Sequence, residues 1–175
     1  MAAEPLIWSR SELTALLLKA GRGAGMPLAH AEDMARAVGR RGDGRAVEAV
    51  LQGLGKPWVS MAMEVVGNRI SISNARAVQA LPHVVEALSS GFDAAVLLDL
   101  DEPCLLAAYL HGTGLGAKAE GAHWHVKRGA AAPDAGEPRP ITAHQVARLE
   151  TFAARTYVPA SATSRDGAGQ GADQD

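Results

Sequence analysis

Cysteine occurs once in the 175 residues, at Cys104, so no intrachain disulfide can form and a reducing compartment is expected. Aromatic residues are scarce at 4%. The core must therefore come from Leu, Val, Ile, Met and many Ala, and small side chains suit closely packed helices. A basic excess is also missing: 17 Lys and Arg stand against 19 Asp and Glu, for a net charge of −2. Nucleic-acid binders draw most of their affinity from phosphate neutralisation, so no nucleic-acid partner is expected. No apolar run is long enough to span a bilayer. The opening "MAAEPLIWSRSELTALLLKAG" has no basic stretch before its apolar residues, and Thr14 and Lys19 interrupt them. Neither a signal peptide nor a membrane partner is expected, and a cytoplasmic location follows.

What is present is globular: 47% apolar and 21% charged residues, enough for one domain. Ser9 and Glu12 have the spacing of a capping box, and Leu13, Leu16, Leu17 and Ala20 follow one helix face. Gly21, Gly23 and Gly25 end that helix. Pro27 opens the next, with Ala31, Met34, Ala35 and Val38 on its apolar face. After "RGDGR", Val47, Val50, Leu51 and Leu54 repeat the pattern.

The period then falls to two. Val59, Met61, Met63 and Val65 alternate with polar or small residues, and Gly67-Asn68 is a favoured two-residue hairpin loop. That loop pairs Val66 with Arg69, Val65 with Ile70 and Met63 with Ile72, which keeps the apolar residues on one face. Leu81, Val84, Val85 and Leu88 mark a fourth helix. Residues 94–100, 104–110 and 123–128 read as strands, although a buried helix fits 104–110 equally well. Thr142 and Gln145 form a second capping box, ahead of Val146, Leu149 and Phe152 on a last helix. The expected fold is α+β: an N-terminal helical part packed with a small, mostly antiparallel sheet and a C-terminal helix. It forms a single domain over residues 1–161, and residues 162–175 form a polar tail expected to be disordered.

The stretch "GAHWHVKRG" holds two histidines one residue apart. On a strand, Ala122, Trp124 and Val126 share the buried face, while His123, His125 and Lys127 share the other. Two rings projecting together can begin a metal site, with a third ligand from His111, Cys104 or Asp99. The Lys127 ammonium opposes a divalent cation there, so a solvated polar face is the favoured reading. "DLDEP" gathers Asp99, Asp101 and Glu102, carboxylates suited to holding Mg²⁺, to acid–base work or to a turn. "HGTGLGA" matches the dinucleotide fingerprint formally but leaves no room for the helix that motif needs, so a loop between strands is expected. "RGD" at Arg41–Asp43 reads as a turn between helices. Cys104 sits in an apolar run and reads as a buried, inert thiol. Arg36, Arg40, Arg41 and Arg45 read as a solvated helix face, and His30, His83 and His144 as surface or capping residues.

The closing text "LETFAARTYVPASATSR" resembles the end of a bacterial, mainly alphaproteobacterial, family of unknown function, whose members finish in an RTYVPAS segment and a Gly/Ala-rich tail. The opening "SELTALLLKAGRGAGMPLAHAEDMARAV" resembles that family's start. The resemblance implies no activity and assigns no catalytic residues, and the cofactors stay unknown. It does raise Arg155, Thr156, Tyr157 and Ser161 as donors for an anion or a partner surface. The opening helices are also similar to those of malate/lactate dehydrogenases that lack a Rossmann fold. Those enzymes are much longer, and their His-containing motif is missing from "GRRGDGRAVEAV".

No complete catalytic constellation can be read from these residues. The expected function is a non-catalytic cytoplasmic protein, a homodimer that binds a protein partner or a small anionic ligand. The alternative is a metal-dependent enzyme using His123 and His125.

Overall fold

The computed structural model describes residues 8–133 and 137–156. The three N-terminal apolar faces form α1 (Arg10–Gly23), α2 (Leu28–Arg41) and α3 (Gly44–Gly53). The Ser9 hydroxyl accepts from the Glu12 N–H at 3.2 Å, and the Ser9 N–H donates to the Glu12 carboxylate at 3.0 Å. This is the expected capping box, which satisfies two otherwise orphaned donors. Asp43 of the "RGD" turn caps α3, accepting from the Arg45 N–H at 3.0 Å and the Arg139 N–H at 3.1 Å. One buried carboxylate thus ties the start of α3 to the segment leading into α6 (Ala143–Ala153). A second box, Thr142 with Gln145, starts α6.

The expected dependence on small residues is visible where helices touch. α1 packs on α2 and on α6. Gly39 of α2 lies against Thr14 of α1 so closely that a Cβ there would collide with the Thr14 hydroxyl. Leu13, Leu17, Met34, Val38 and Leu149 are buried in this helical layer. A core with few aromatics is filled by bringing backbones together.

The sheet holds β1 (Ala62–Val66), β2 (Arg69–Arg76), β3 (Ala94–Asp101), β4 (Leu115–Glu120) and β5 (His123–Arg128) in the order β1-β2-β3-β5-β4. β2 and β3 are parallel, joined by α4 (Ala77–Ser89), and every other neighbouring pair is antiparallel. α4 crosses one face of β2, β3 and β5 and buries Ile70, Ile72, Ala95, Leu97 and Val126. The hairpin register is the one expected, with Val65 opposite Ile70 and Met63 opposite Ile72. Burial differs, because β1 lies at the sheet edge, beyond the helices. Met63 stays 46% exposed and Val65 57%.

One open choice is decided and two expectations are corrected. Of the strand and the buried helix that both fitted residues 104–110, the structure has the helix. Glu102 takes a left-handed conformation (φ 60°) that turns the chain out of β3, and Pro103 then starts a 3₁₀ turn (Pro103–Leu105) leading into α5 (Leu106–Leu110). All five α5 residues are buried, so no polar face reveals the helical period. Cys104 is exposed at the 3₁₀ turn and is not a core thiol. Part of the expected "HGTGLGA" loop is β4, which pairs with β5 through Ala117↔Val126 and Ala119↔Trp124. Gly116 permits it: a Cβ there would strike the carbonyls of Ala130 and Ala131, which run against β4. The fold is α+β. No helix among the described residues is long and apolar enough to cross a membrane.

Candidate functional site

β5 orients its residues as its alternation requires. Val126 is buried, Trp124 is half-buried, and His123 and Lys127 are exposed on the opposite face. His125 is half-buried, with its Nε2 3.4 Å from the Glu120 carboxylate of β4. Among the described residues no three His, Cys, Asp or Glu side chains converge closely enough to hold a metal ion.

At the C-terminal end, the Thr156 hydroxyl donates to the Ala153 carbonyl at 2.7 Å, and the Arg155 guanidinium stacks 4.6 Å from the Phe152 ring. Both side chains are engaged with their own helix end. Tyr157 and Ser161 lie outside the described residues.

The "DLDEP" carboxylates separate. Asp99 and Asp101 are exposed, while the Glu102 side chain is only 7% exposed and pairs with Arg76 at 3.3 Å and Lys56 at 3.6 Å. Arg76 is itself buried and also donates to the Gly53 carbonyl at 2.7 Å. This is a structural ion pair joining the α3 end to β2 and β3. Near it, partial desolvation and then the Glu102 charge push the Cys104 thiol above its ordinary range, away from thiolate chemistry.

The chemistry converges elsewhere. α2, α4 and the end of α5 surround a cleft of about 290 Å³. α2 contributes Asp33, Arg36, Ala37 and Arg40, which share one helix face by their i, i+3, i+4, i+7 spacing. α4 contributes Pro82, Val85 and Glu86. Tyr109 of α5 and Thr113 of the following turn complete the lining.

Tyr109 is 7% exposed, and its buried hydroxyl has no hydrogen-bond partner among the described residues. A buried polar atom without a partner costs about 1–3 kcal/mol, so it calls for an occupant. Burial first, then the charges of Asp33 and Glu102, push the phenol far above its ordinary pKa. It is therefore a neutral donor under all ordinary conditions. Arg36 pairs with Asp33 at 3.0 Å. Thr113 is spent internally: its hydroxyl donates to the Leu110 carbonyl at 2.7 Å and accepts from the Leu115 N–H at 3.2 Å. Arg40 has no carboxylate partner among the described residues, and its Nη1 is 4.0 Å from where a Cβ on Gly112, next to Thr113, would sit.

A larger groove of about 450 Å³ runs between the starts of α3 and α6, past Cys104. Most of its polar groups are engaged in holding the fold; the Arg45 Nε is buried without a hydrogen-bond partner among the described residues but lies 3.8 Å from the Asp43 carboxylate. Glu48 accepts from Gln145 at 3.2 Å and Arg148 at 3.0 Å, Gln145 also donates to the Gly44 carbonyl at 2.8 Å, and Arg45 donates to the Glu137 carbonyl. Size favours this groove, but its unpartnered Arg45 Nε still has the Asp43 charge beside it, whereas the Tyr109 hydroxyl has no hydrogen-bond partner among the described residues and only like-signed pressure to stay neutral. A buried hydroxyl with no partner is the costlier of the two, and it marks the Tyr109 cleft as the candidate site.

Sequence reasoning missed this cleft. Its signal was the α2 spacing of Asp33, Arg36, Ala37 and Arg40, of which Arg36 and Arg40 read as part of a solvated face, and the one hydroxyl in "CLLAAYL".

No protein-family model and no curated protein matches the chain. In structure it is similar in part to malate dehydrogenase from Entamoeba histolytica, with a TM-score of 0.42 and 10% identity, over 66% of this chain and 40% of that one. The chain thus spans less than half of that enzyme's length. A likeness of this degree carries no weight for fold or activity.

Proposed function

We propose that the protein is a non-catalytic binding protein that takes a small molecule in the cleft between α2, α4 and α5. The observation that carries this reading is the Tyr109 hydroxyl, buried and unpartnered on the wall of a 290 Å³ cleft. Such clefts combine apolar walls with a few fixed polar groups, and this volume sits at their lower end. Ala37, Pro82 and Val85 supply the apolar wall. The polar groups on it do not form a nucleophile–base pair: the phenol stays protonated, Asp33 is held by Arg36, and the Thr113 hydroxyl is internally bonded.

The same reading keeps the protein in the bacterial family its two ends resemble, cytoplasmic and homodimeric. The exposed edge strand β1, with Met63, Val65 and Val66, supports the dimer.

Saturation-transfer NMR with butyrate, butyramide and butylammonium tests the cleft. At least one should bind, and Tyr109→Phe should abolish or strongly weaken that binding. Binding that is untouched by Tyr109→Phe, or no binding by any of the three, would overturn the reading. The metal-enzyme alternative is favoured only by Glu120 lying beside His125. Saturable one-to-one zinc uptake that disappears in a His123→Ala/His125→Ala double variant would restore it.

A further inference from the structure

We infer that the cleft ligand is a short-chain monocarboxylate, held between the Tyr109 hydroxyl and the Arg40 guanidinium. This deepens the proposed binding function and rests on it. The phenol keeps its proton and has no acceptor for it among the described residues, so an acceptor oxygen on the ligand would satisfy it. Burial and the neighbouring Asp33 and Glu102 charges keep that proton in place.

The charge comes from the accounting along α2. Of its three arginines, Arg36 is held by Asp33 at 3.0 Å and Arg41 by Asp43 at 3.3 Å. Arg40 has no carboxylate partner among the described residues, yet it lines the cleft, with its Nη1 4.0 Å from where a Cβ on Gly112 would sit. A guanidinium and a neutral O–H donor on one cleft form a carboxylate-binding pair, since a carboxylate can accept from both.

The remaining lining limits the ligand further. Arg36 and Asp33 cancel each other. Glu86 then stands on α4 as a carboxylate without a partner among the described residues, and it opposes a second negative charge in the ligand. One carboxylate fits and two do not. Ala37, Pro82 and Val85 leave an apolar wall for a short alkyl chain, and 290 Å³ leaves no room for a long one.

The experiment compares near-isosteric probes on the intact protein by saturation-transfer NMR titration: butyrate, butyramide, butylammonium and succinate. Butyrate should bind tightest, butyramide about tenfold weaker or more, and succinate weaker than butyrate. Butylammonium should not compete. Arg40→Gln should bring butyrate down to the level of butyramide, and Tyr109→Phe should weaken both. Arg40 is exposed and makes no ion pair to lose, so the variant keeps its fold. If butyramide matches butyrate, if succinate outbinds it, or if Arg40→Gln leaves the preference intact, the monocarboxylate assignment is wrong. The cleft itself still stands in those cases, provided Tyr109→Phe removes binding. If none of the four binds, both fail together.

Discussion

Replacing Tyr109 by Phe removes one oxygen and leaves the ring in place. In most buried positions that change costs about 1 kcal/mol, because a hydrogen bond is lost. Here the hydroxyl has no partner to lose among the described residues. The folded, ligand-free protein already bears the desolvation cost, about 1–3 kcal/mol, and Phe relieves it. The variant should therefore be more stable than the parent, by about 1 kcal/mol or more. For a domain of this size that is a rise of about 2–4 °C in Tm per kcal/mol. Thermal and urea unfolding in ligand-free buffer measure it. With ligand the order should reverse. At a hundred times Kd a ligand adds about 2.7 kcal/mol to the parent and far less to a variant that has lost its donor. A Tyr109→Phe variant that is destabilised by 1 kcal/mol or more without ligand, on the order of an ordinary buried hydrogen bond, would refute the reasoning. It would mean that the hydroxyl is already satisfied and the cleft has no unmet demand.

Two further predictions concern buried charge and pH. Glu102→Ala leaves the Arg76 guanidinium buried without its carboxylate, and should cost about 3 kcal/mol in urea unfolding. An unchanged midpoint would mean that the Gly53 and Lys56 carbonyls satisfy Arg76 without the carboxylate. His30 sits beside Trp58 and His83, and desolvation, followed by the His83 charge, lowers its pKa below 6.5, against the opposing pull of Asp33. Its unfolded state therefore binds the proton first. Stability should be full above pH 6.5 and fall as the pH drops through the lowered folded value, and His30→Asn should flatten that part of the Tm-against-pH curve.

The legible parts of the fold were those fixed by local rules. The hairpin register follows from the number of residues in its loop, so Gly67-Asn68 set all five β1–β2 pairs. The capping boxes at Ser9 and Thr142 are likewise local, since three residues suffice to satisfy the helix-start donors. The alternation of "HWHVKR" placed Trp124 and Val126 inward correctly, because a strand has only two faces. What stayed open or failed depended on burial from all sides or on distant packing. α5 shows no period because none of its residues meets solvent. β4 exists because β5 pairs with it and because Gly116 lets residues 130–131 approach, and the partners in both contacts lie outside its own six residues. The cleft belongs to the same class. Arg40 and Tyr109 lie far apart in the chain, and only the packing of α2 against α4 and α5 brings them to one wall. That a tyrosine lacks a partner is a property of everything around it.

The packing of α6 on α1 also shapes how the chain reaches its fold. These helices bracket nearly the whole described sequence, so their contact closes a loop of well over a hundred residues, and such closure is slow relative to local contacts. During synthesis α1 and α2 can pair early as neighbours, but the flank of α1 that receives α6 stays uncovered until the ribosome has released Ala153. For that interval the nascent chain carries an apolar helical surface with no native cover. Such a surface is a natural point for chaperone capture, and for misassembly when synthesis outpaces completion.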